Sequence, residues 1–208
     1  MHHLTQRGNY RQTIFQDDTD HIVYLKFFNE YSQKYGVEVY AYCLMRNHVH
    51  FIVKPLKENS LARTVNVAHQ RYAYYYHQKN GEQGHLWQSR YYSCVLQGRH
   101  FHEAVRYVER NPVRAHIVRY PWEYKWSSVR TRLGQECKII QLADISQYLD
   151  LNSWKDYLMG EASNEELNGL RETTRQGLVF GEKAFIENLG NEMKRDIFLR
   201  SRGRPRRG

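Results

Sequence analysis

The sequence predicts an α/β fold of the α+β kind, a ferredoxin-like β-α-β-β-α-β arrangement. Its antiparallel sheet would carry helices on one face, and a small helical C-terminal extension would follow. Three observations predict this. Alternating segments read as strands at His3–Arg7, in VEVYAYCLM followed by HVHFIV, and in HLWQSRYYSCVLQ. Helical stripes separate them, Tyr24, Phe27, Phe28, Tyr31 and Tyr35 in one segment and Leu61, Val65, Ala68, Tyr72 and Tyr75 in the next. A chain of 208 residues with 41% hydrophobic and 14% aromatic residues is large enough to bury a core.

The first strand ends at a Gly8-Asn9 turn signal. The helix in DDTDHIVYLKFFNEYSQKYG has acidic residues at its start and Gly36 at its end, both helix punctuation. Arg46-Asn47 reads as a tight turn joining two strands into a hairpin. Ser60 can cap the second helix, and Gly81 and Gly84 break the chain before HLWQSRYYSCVLQ, where a bulge is admissible. The third helix, RHFHEAVRYVER, runs into NPVRAHIV, whose Asn111-Pro112 pair suits the start of a new helix. Short amphipathic helices are expected in QLADISQYLDLNSWKDYLMG, NEELNGLRETTRQ and GEKAFIENLGNEMKRD, the last with Phe185, Leu189 and Met193 on one stripe. The organisation expected is a domain over 1–135, an extension over 136–199 and a basic tail over 200–208.

Charge points to a partner. The chain carries +9, and from Lys194 to Arg207 seven cations face only Asp196, so +6 of the excess lies there and +3 elsewhere. A basic tail on a mildly basic body suits a polyanion, most often nucleic acid, although a tail that serves solubility alone has the same composition. Three cysteines without a C-x-x-C pair argue against a disulfide framework or a thiolate metal site and suit a reducing cytoplasm. The first residues lack the apolar core of a signal peptide, and no run reaches membrane-spanning length, so a cytoplasmic, nucleoid-associated location is expected.

The residues with chemistry begin at His48 and His50. On one strand they point to the same face, about 7 Å apart, and two imidazoles can share a metal ion across that gap. Ordinary half-exposed strand histidines fit the same pattern. The third helix offers Tyr107 and Asn111 one turn apart, with Arg114 in a similar direction and Phe101, Val105 and Val108 on another face. A phenol beside two imidazoles and an amide suggests covalent catalysis on a phosphodiester, in which the tyrosine oxygen attacks phosphorus and a metal polarises a non-bridging oxygen. Packing for Tyr107 and helix capping for Asn111 are the plainer alternatives. For single-stranded DNA, aromatic stacking and cations should be interleaved. LWQSRYY supplies Trp87, Arg90, Tyr91 and Tyr92, and TQRGNYRQ supplies Arg7, Asn9, Tyr10 and Arg11; each aromatic taken singly also suits a core.

The blocks LTQRGNYRQTIF, YCLMRNHVHFIV, GHLWQSRY, YVERNPVRAHIV, WSSVR and GRPRR, in this order, resemble the REP-associated tyrosine transposases. These are single-tyrosine HUH nucleases of the insertion-sequence 200-like superfamily, and the resemblance runs from about residue 4 to the C-terminus. It implies a ferredoxin-like fold, with His48 and His50 as ligands of a divalent Mg²⁺ or Mn²⁺ ion, Asn111 as a further ligand and Tyr107 as nucleophile. It further implies cutting of single-stranded DNA beside a REP-like palindromic hairpin, leaving a 5′-phosphotyrosine and a free 3′-hydroxyl. Relatives often carry proline where this chain has Arg46, and an arginine there could contact phosphate; Asn47 beside it joins the DNA-contact set, as does Arg114. The RGRPR core resembles an AT-hook, which places Arg200, Arg202, Arg204, Arg206 and Arg207 on DNA. A monomer is expected, and a dimer is compatible. Two rival readings are a non-catalytic hairpin-binding regulator and a metal-dependent hydrolase of small phosphodiesters.

Overall fold

The computed structural model describes residues 1–98, 100–135, 139–160, 164–194 and 197; the tail arginines from Arg200 to Arg207 lie outside the described residues. In chain order the elements are β1 (His2–Arg7), α1 (Asp18–Tyr35), β2 (Val37–Met45), β3 (His48–Pro55), α2 (Ser60–Asn80), β4 (Tyr92–Leu96), α3 (His100–Glu109), α4 (Asn111–Arg114), α5 (Val129–Arg132), α6 (Trp154–Met159), α7 (Asn164–Gln176), β5 (Val179–Phe180) and α8 (Lys183–Met193). The sheet runs β2-β3-β1-β4-β5. Its first four strands are antiparallel neighbours, and β5 joins β4 in parallel. Two interleaved β-α-β units, β1-α1-β2 and β3-α2-β4, give this order.

Local chemistry sets the boundaries. Asp17 caps α1 by accepting from the Asp20 N–H, Asp20 reciprocates, and Gly36 ends the helix at φ 75°, a conformation that costs glycine little. A Cβ on Gly8 would stand 2.7 Å from both the Gln12 carbonyl oxygen and Ile14 Cγ2, so only glycine lets the loop after β1 fold back this closely. Asn59, at φ 60°, caps α2 in place of Ser60, whose hydroxyl instead accepts from the Lys57 N–H.

Helices cover both faces of the sheet, which corrects the single-face expectation. α1 and α2 pack Tyr24, Leu25, Phe28, Val65 and Tyr72 onto Leu4, Val49, Phe51 and Val53. On the opposite face α3 brings Phe101, Ala104, Val105 and Val108 onto Ile52, Cys94 and Leu96. The reason lies in β2, buried at every position but Glu38. A register shift between Val39 and Ala41 sends Tyr40 and Ala41 to the α3 face, while Val39, Tyr42 and Leu44 stay with α1 and α2.

The region assigned to a C-terminal extension is built into the same sheet and cores. α7 packs on β4, β5 and α3, with Leu170 buried, and Ile145, Leu149, Trp154 and Leu158 join the α3-side core. Of QLADISQYLDLNSWKDYLMG only Trp154–Met159 is helical, and of HLWQSRYYSCVLQ only Tyr92–Leu96 is a strand. The expected helix PVRAHIV stops at Arg114, followed two residues later by His116 at φ 54°. At the end of α3 the fully buried Glu109 carboxylate accepts from the Ser128 hydroxyl at 2.8 Å, the Trp154 indole N–H at 2.8 Å and Arg132 at 2.9 Å. Satisfied this way, the charge ties α3 to the segment from Trp126 and to α6.

Both edges of the sheet are short of free backbone. Along β2 the Leu44 N–H donates to Trp126, the Ser128 N–H to Tyr42 and the Ala143 N–H to Val39, while β5 at the other edge is two residues long.

Candidate active site

His48 and His50 open onto the α3 face of the sheet, in register with Arg7 and Thr5 of β1. Their rings stand 5.0 Å apart, edge to face. Tyr107 of α3 lies with its ring 5.7 Å from His50 and 5.6 Å from His3, both edge-on. The structure thus brings the two histidines and the tyrosine together, and they line one cleft of about 630 Å³. Arg7, Arg11, Asn111, Arg114, Arg171 and Arg175 share its walls, and among the described residues no acidic side chain does. Such a cleft attracts an anion.

The phenol is held among cations. Arg114 covers its ring at 3.9 Å, and Arg171 Nε donates to its hydroxyl oxygen at 3.3 Å. Asn111 does not cap the following helix, because its amide N–H groups reach back to the carbonyls of Tyr107 (3.1 Å) and Val108 (3.3 Å). Its Oδ1 accepts from Arg114 Nη2 at 2.7 Å, which aims that oxygen's side of the amide toward the cleft-lining guanidinium.

Each histidine has one nitrogen engaged. His48 Nδ1 meets Asn47 Oδ1 at 2.7 Å, so it carries the proton and leaves Nε2 bare. His50 Nδ1 meets His3 Nε2 at 2.9 Å. This is the arrangement a pair of imidazole ligands needs, one nitrogen fixed by an outer partner and the other free. Among the described residues no group of three or more His, Cys, Asp or Glu side chains is arranged to hold a metal ion. A cation here would have the two imidazoles, the Asn111 amide oxygen and oxygens of substrate or water, a donor set that fits Mn²⁺ better than the harder Mg²⁺.

Burial keeps these imidazoles neutral. It pushes His3 down to about 3, and His48 to about 3 with help from Arg7 and Arg114; His50 falls well below the usual histidine value for the same leading reason. His69, buried under Trp87 away from the cleft, is pushed down to about 3 by burial alone. In the unfolded chain each would titrate near 6.5. Below that pH the unfolded state takes up protons that the folded state refuses, so stability is complete above about 6.5 and is lost as pH falls from there toward 3. At pH 5 the buried pair His3 and His69 should each cost about 2 kcal/mol relative to neutral pH. Urea midpoints measured in chelator at pH 7.5 and pH 5 should differ accordingly, and His69→Gln should lessen the difference. Equal midpoints at both values would contradict the assignment of neutral buried histidines.

Other expected contacts fall elsewhere. Trp87 is a core ring, stacked on His69 at 4.3 Å with its indole N–H donated to the His69 carbonyl at 3.0 Å, so it is no free stacking platform. Asn47 spends its side chain on His48 and on the Arg11 carbonyl. Arg46 lines a separate cavity with Phe15, His21 and Tyr124. Asn9 and the exposed Arg90 do not line the cleft. Tyr10, 94% exposed with φ 48°, stands free beside Arg11 at φ 60°. Sequence reasoning missed His3, Thr174, Arg171 and Arg175. The alternation His3, Thr5, Arg7 was the available signal for β1, and the spacing Arg171, Thr174, Arg175 was that for α7.

A mixed sheet, a phenol held among arginines and two imidazoles thus meet in one cleft suited to an anion. A family model described as "Transposase IS200 like" matches residues 1–111, and the chain belongs to that family. Among solved structures it is similar to a REP-associated tyrosine transposase bound to a REP hairpin, with a TM-score of 0.53 and 15% identity over 69% of this chain and 86% of that one. It also matches a protein from Deinococcus radiodurans described as a candidate transposase, with a TM-score of 0.37 and 16% identity over 65% of this chain and 90% of that one. No curated protein matches. No helix of the described residues is long and apolar enough to cross a membrane.

Proposed function

We propose that this transposase cuts and rejoins single-stranded DNA beside a hairpin by way of a tyrosyl-phosphate. The observation that carries the reading is Tyr107, its ring 5.7 Å from that of His50, in an arginine-lined cleft that also holds His48 and, among the described residues, no acidic side chain. Arg114 and Arg171 flank the phenol, so a phosphate approaching it meets two guanidinium groups that orient it and balance its charge. Tyr107 Oη attacks phosphorus, its proton passes to solvent, the bond from phosphorus to the 3′-oxygen breaks, and that oxygen takes a proton to become a free 3′-hydroxyl. The 5′-phosphate stays on Tyr107, and a second DNA hydroxyl attacking that link restores a phosphodiester. A Mg²⁺ or Mn²⁺ ion held by His48, His50 and Asn111 would polarise a non-bridging oxygen. His48 keeps its Nε2 bare for it, His50 would present the nitrogen not bonded to His3, and the Asn111 amide oxygen would be shared with Arg114.

Hairpin DNA is favoured as the substrate because a similar structure holds a REP hairpin, and because the five cleft arginines suit a backbone. The arginine-rich tail would add phosphate contacts. Full-length protein incubated in Mn²⁺ with labelled single strands carrying hairpins from DNA beside its own gene should give an adduct that survives denaturing electrophoresis, and a cut fragment that a polymerase can extend. Binding without any adduct across the set would reject cleavage and favour a regulator that only binds hairpins.

A further inference from the structure

We propose that Thr174 and His3 are positioning residues that set which nitrogen of His50 carries the proton. The hydrogen bonds run in one direction from a fixed end. The Thr174 hydroxyl donates its one proton to the Leu170 carbonyl, 2.7 Å away and one turn back on α7. Toward His3 Nδ1, at 2.8 Å, it must therefore accept, so the His3 proton sits on Nδ1. His3 Nε2 is then bare and accepts from His50 Nδ1–H at 2.9 Å. His50 is left with an unprotonated Nε2, the state in which an imidazole can bind a cation. The Cys94 thiol, 3.1 Å from the same hydroxyl, can only donate to it and does not reverse the direction.

The arrangement is well shielded. His3, Thr174 and Cys94 are 1–2% exposed, so water does not compete for these bonds. The His3 and His50 rings stack at 5.2 Å with 9° between their planes, which fixes orientation as well as tautomer. Leu170 and Thr174 lie beyond the residues matched by the family model, so α7 supplies a part of the site that the matched region lacks. The proposal rests on the reading of His50 as a ligand only for the purpose of the bare nitrogen.

The test begins with metal-free, full-length protein labelled with ¹⁵N in its histidines. Proton-coupled nitrogen spectra should assign His50 as Nδ1-protonated. Thr174→Val, close to isosteric, removes the acceptor, so His3 can shift its proton to Nε2 and drive the His50 proton onto its own Nε2. Thr174→Ser should keep the wild-type pattern. Titration with Mn²⁺ alone, followed by water proton relaxation, should show affinity about 10- to 100-fold weaker in Thr174→Val and unchanged in Thr174→Ser. A His50 protonated on Nε2 in the wild type, or an unchanged His50 pattern in a folded Thr174→Val, would overturn the proposal. The expected tautomer pattern without Mn²⁺ uptake by wild type would sustain it and reject the metal reading instead.

Discussion

Tyr107→Phe should abolish the covalent protein–DNA adduct while hairpin binding stays nearly intact. The phenyl ring can keep the edge contacts with His3 and His50 and the Arg114 guanidinium over its face. What disappears is one oxygen and its bond from Arg171, a net loss of about 1 kcal/mol at most for the fold. Removing a nucleophile costs far more in rate, on the order of 10⁴-fold or beyond. Denaturing gels should show adduct with wild type and none with the variant, alongside equal shifts on native gels. Adduct at wild-type level in Tyr107→Phe would move the nucleophile elsewhere.

His48→Ala should lose cleavage by about a thousandfold or more, since polarising a phosphoryl oxygen is worth several kcal/mol. His48 is the cleaner of the two histidines to change. It is half-buried, and its outer partner Asn47 still holds the Arg11 carbonyl. His50→Ala would in addition leave His3 Nε2 without its partner in a dry site, costing about 1–3 kcal/mol of stability. Both variants should bind hairpins, and excess chelator should silence the wild type to the same degree. Full cleavage in chelator, or a His48→Ala protein as active as wild type, would remove the metal from the mechanism.

The succession of strands and helices in the first half of the chain was legible because each of β1, β2 and β3 has a period-two pattern and α1 and α2 each have a stripe of aromatic or aliphatic residues. The pairing of His48 with His50 on one face followed from the same period, and the packing of Tyr107 against His50 rests on α3 having its core stripe one face away. What the pattern hid was the second covered face. Tyr40, Ala41, Cys43 and Met45 lie on the face that a single layer of helices would leave open, yet α3 and the segment around Ile145 and Trp154 bury them. The part of the site that α7 supplies was hidden for a related reason. Thr174 and Arg171 are polar residues in a very polar helix, and only the parallel pairing of β5 with β4 brings that helix over β1. Trp87 shows how an aromatic between cations has the composition of a stacking surface and yet packs its ring against Tyr24, His69 and Tyr72.

The two blunted sheet margins have a consequence for how the molecule meets others of its kind. Strand addition requires a run of unclaimed amide and carbonyl groups, and β2 has given several of its own to Trp126, Ser128 and Ala143 while β5 is too brief to template a ladder. Copies of the chain crowded together would therefore find, among the described residues, no long free margin on which to fuse their sheets. Contact between such copies would fall to side chains.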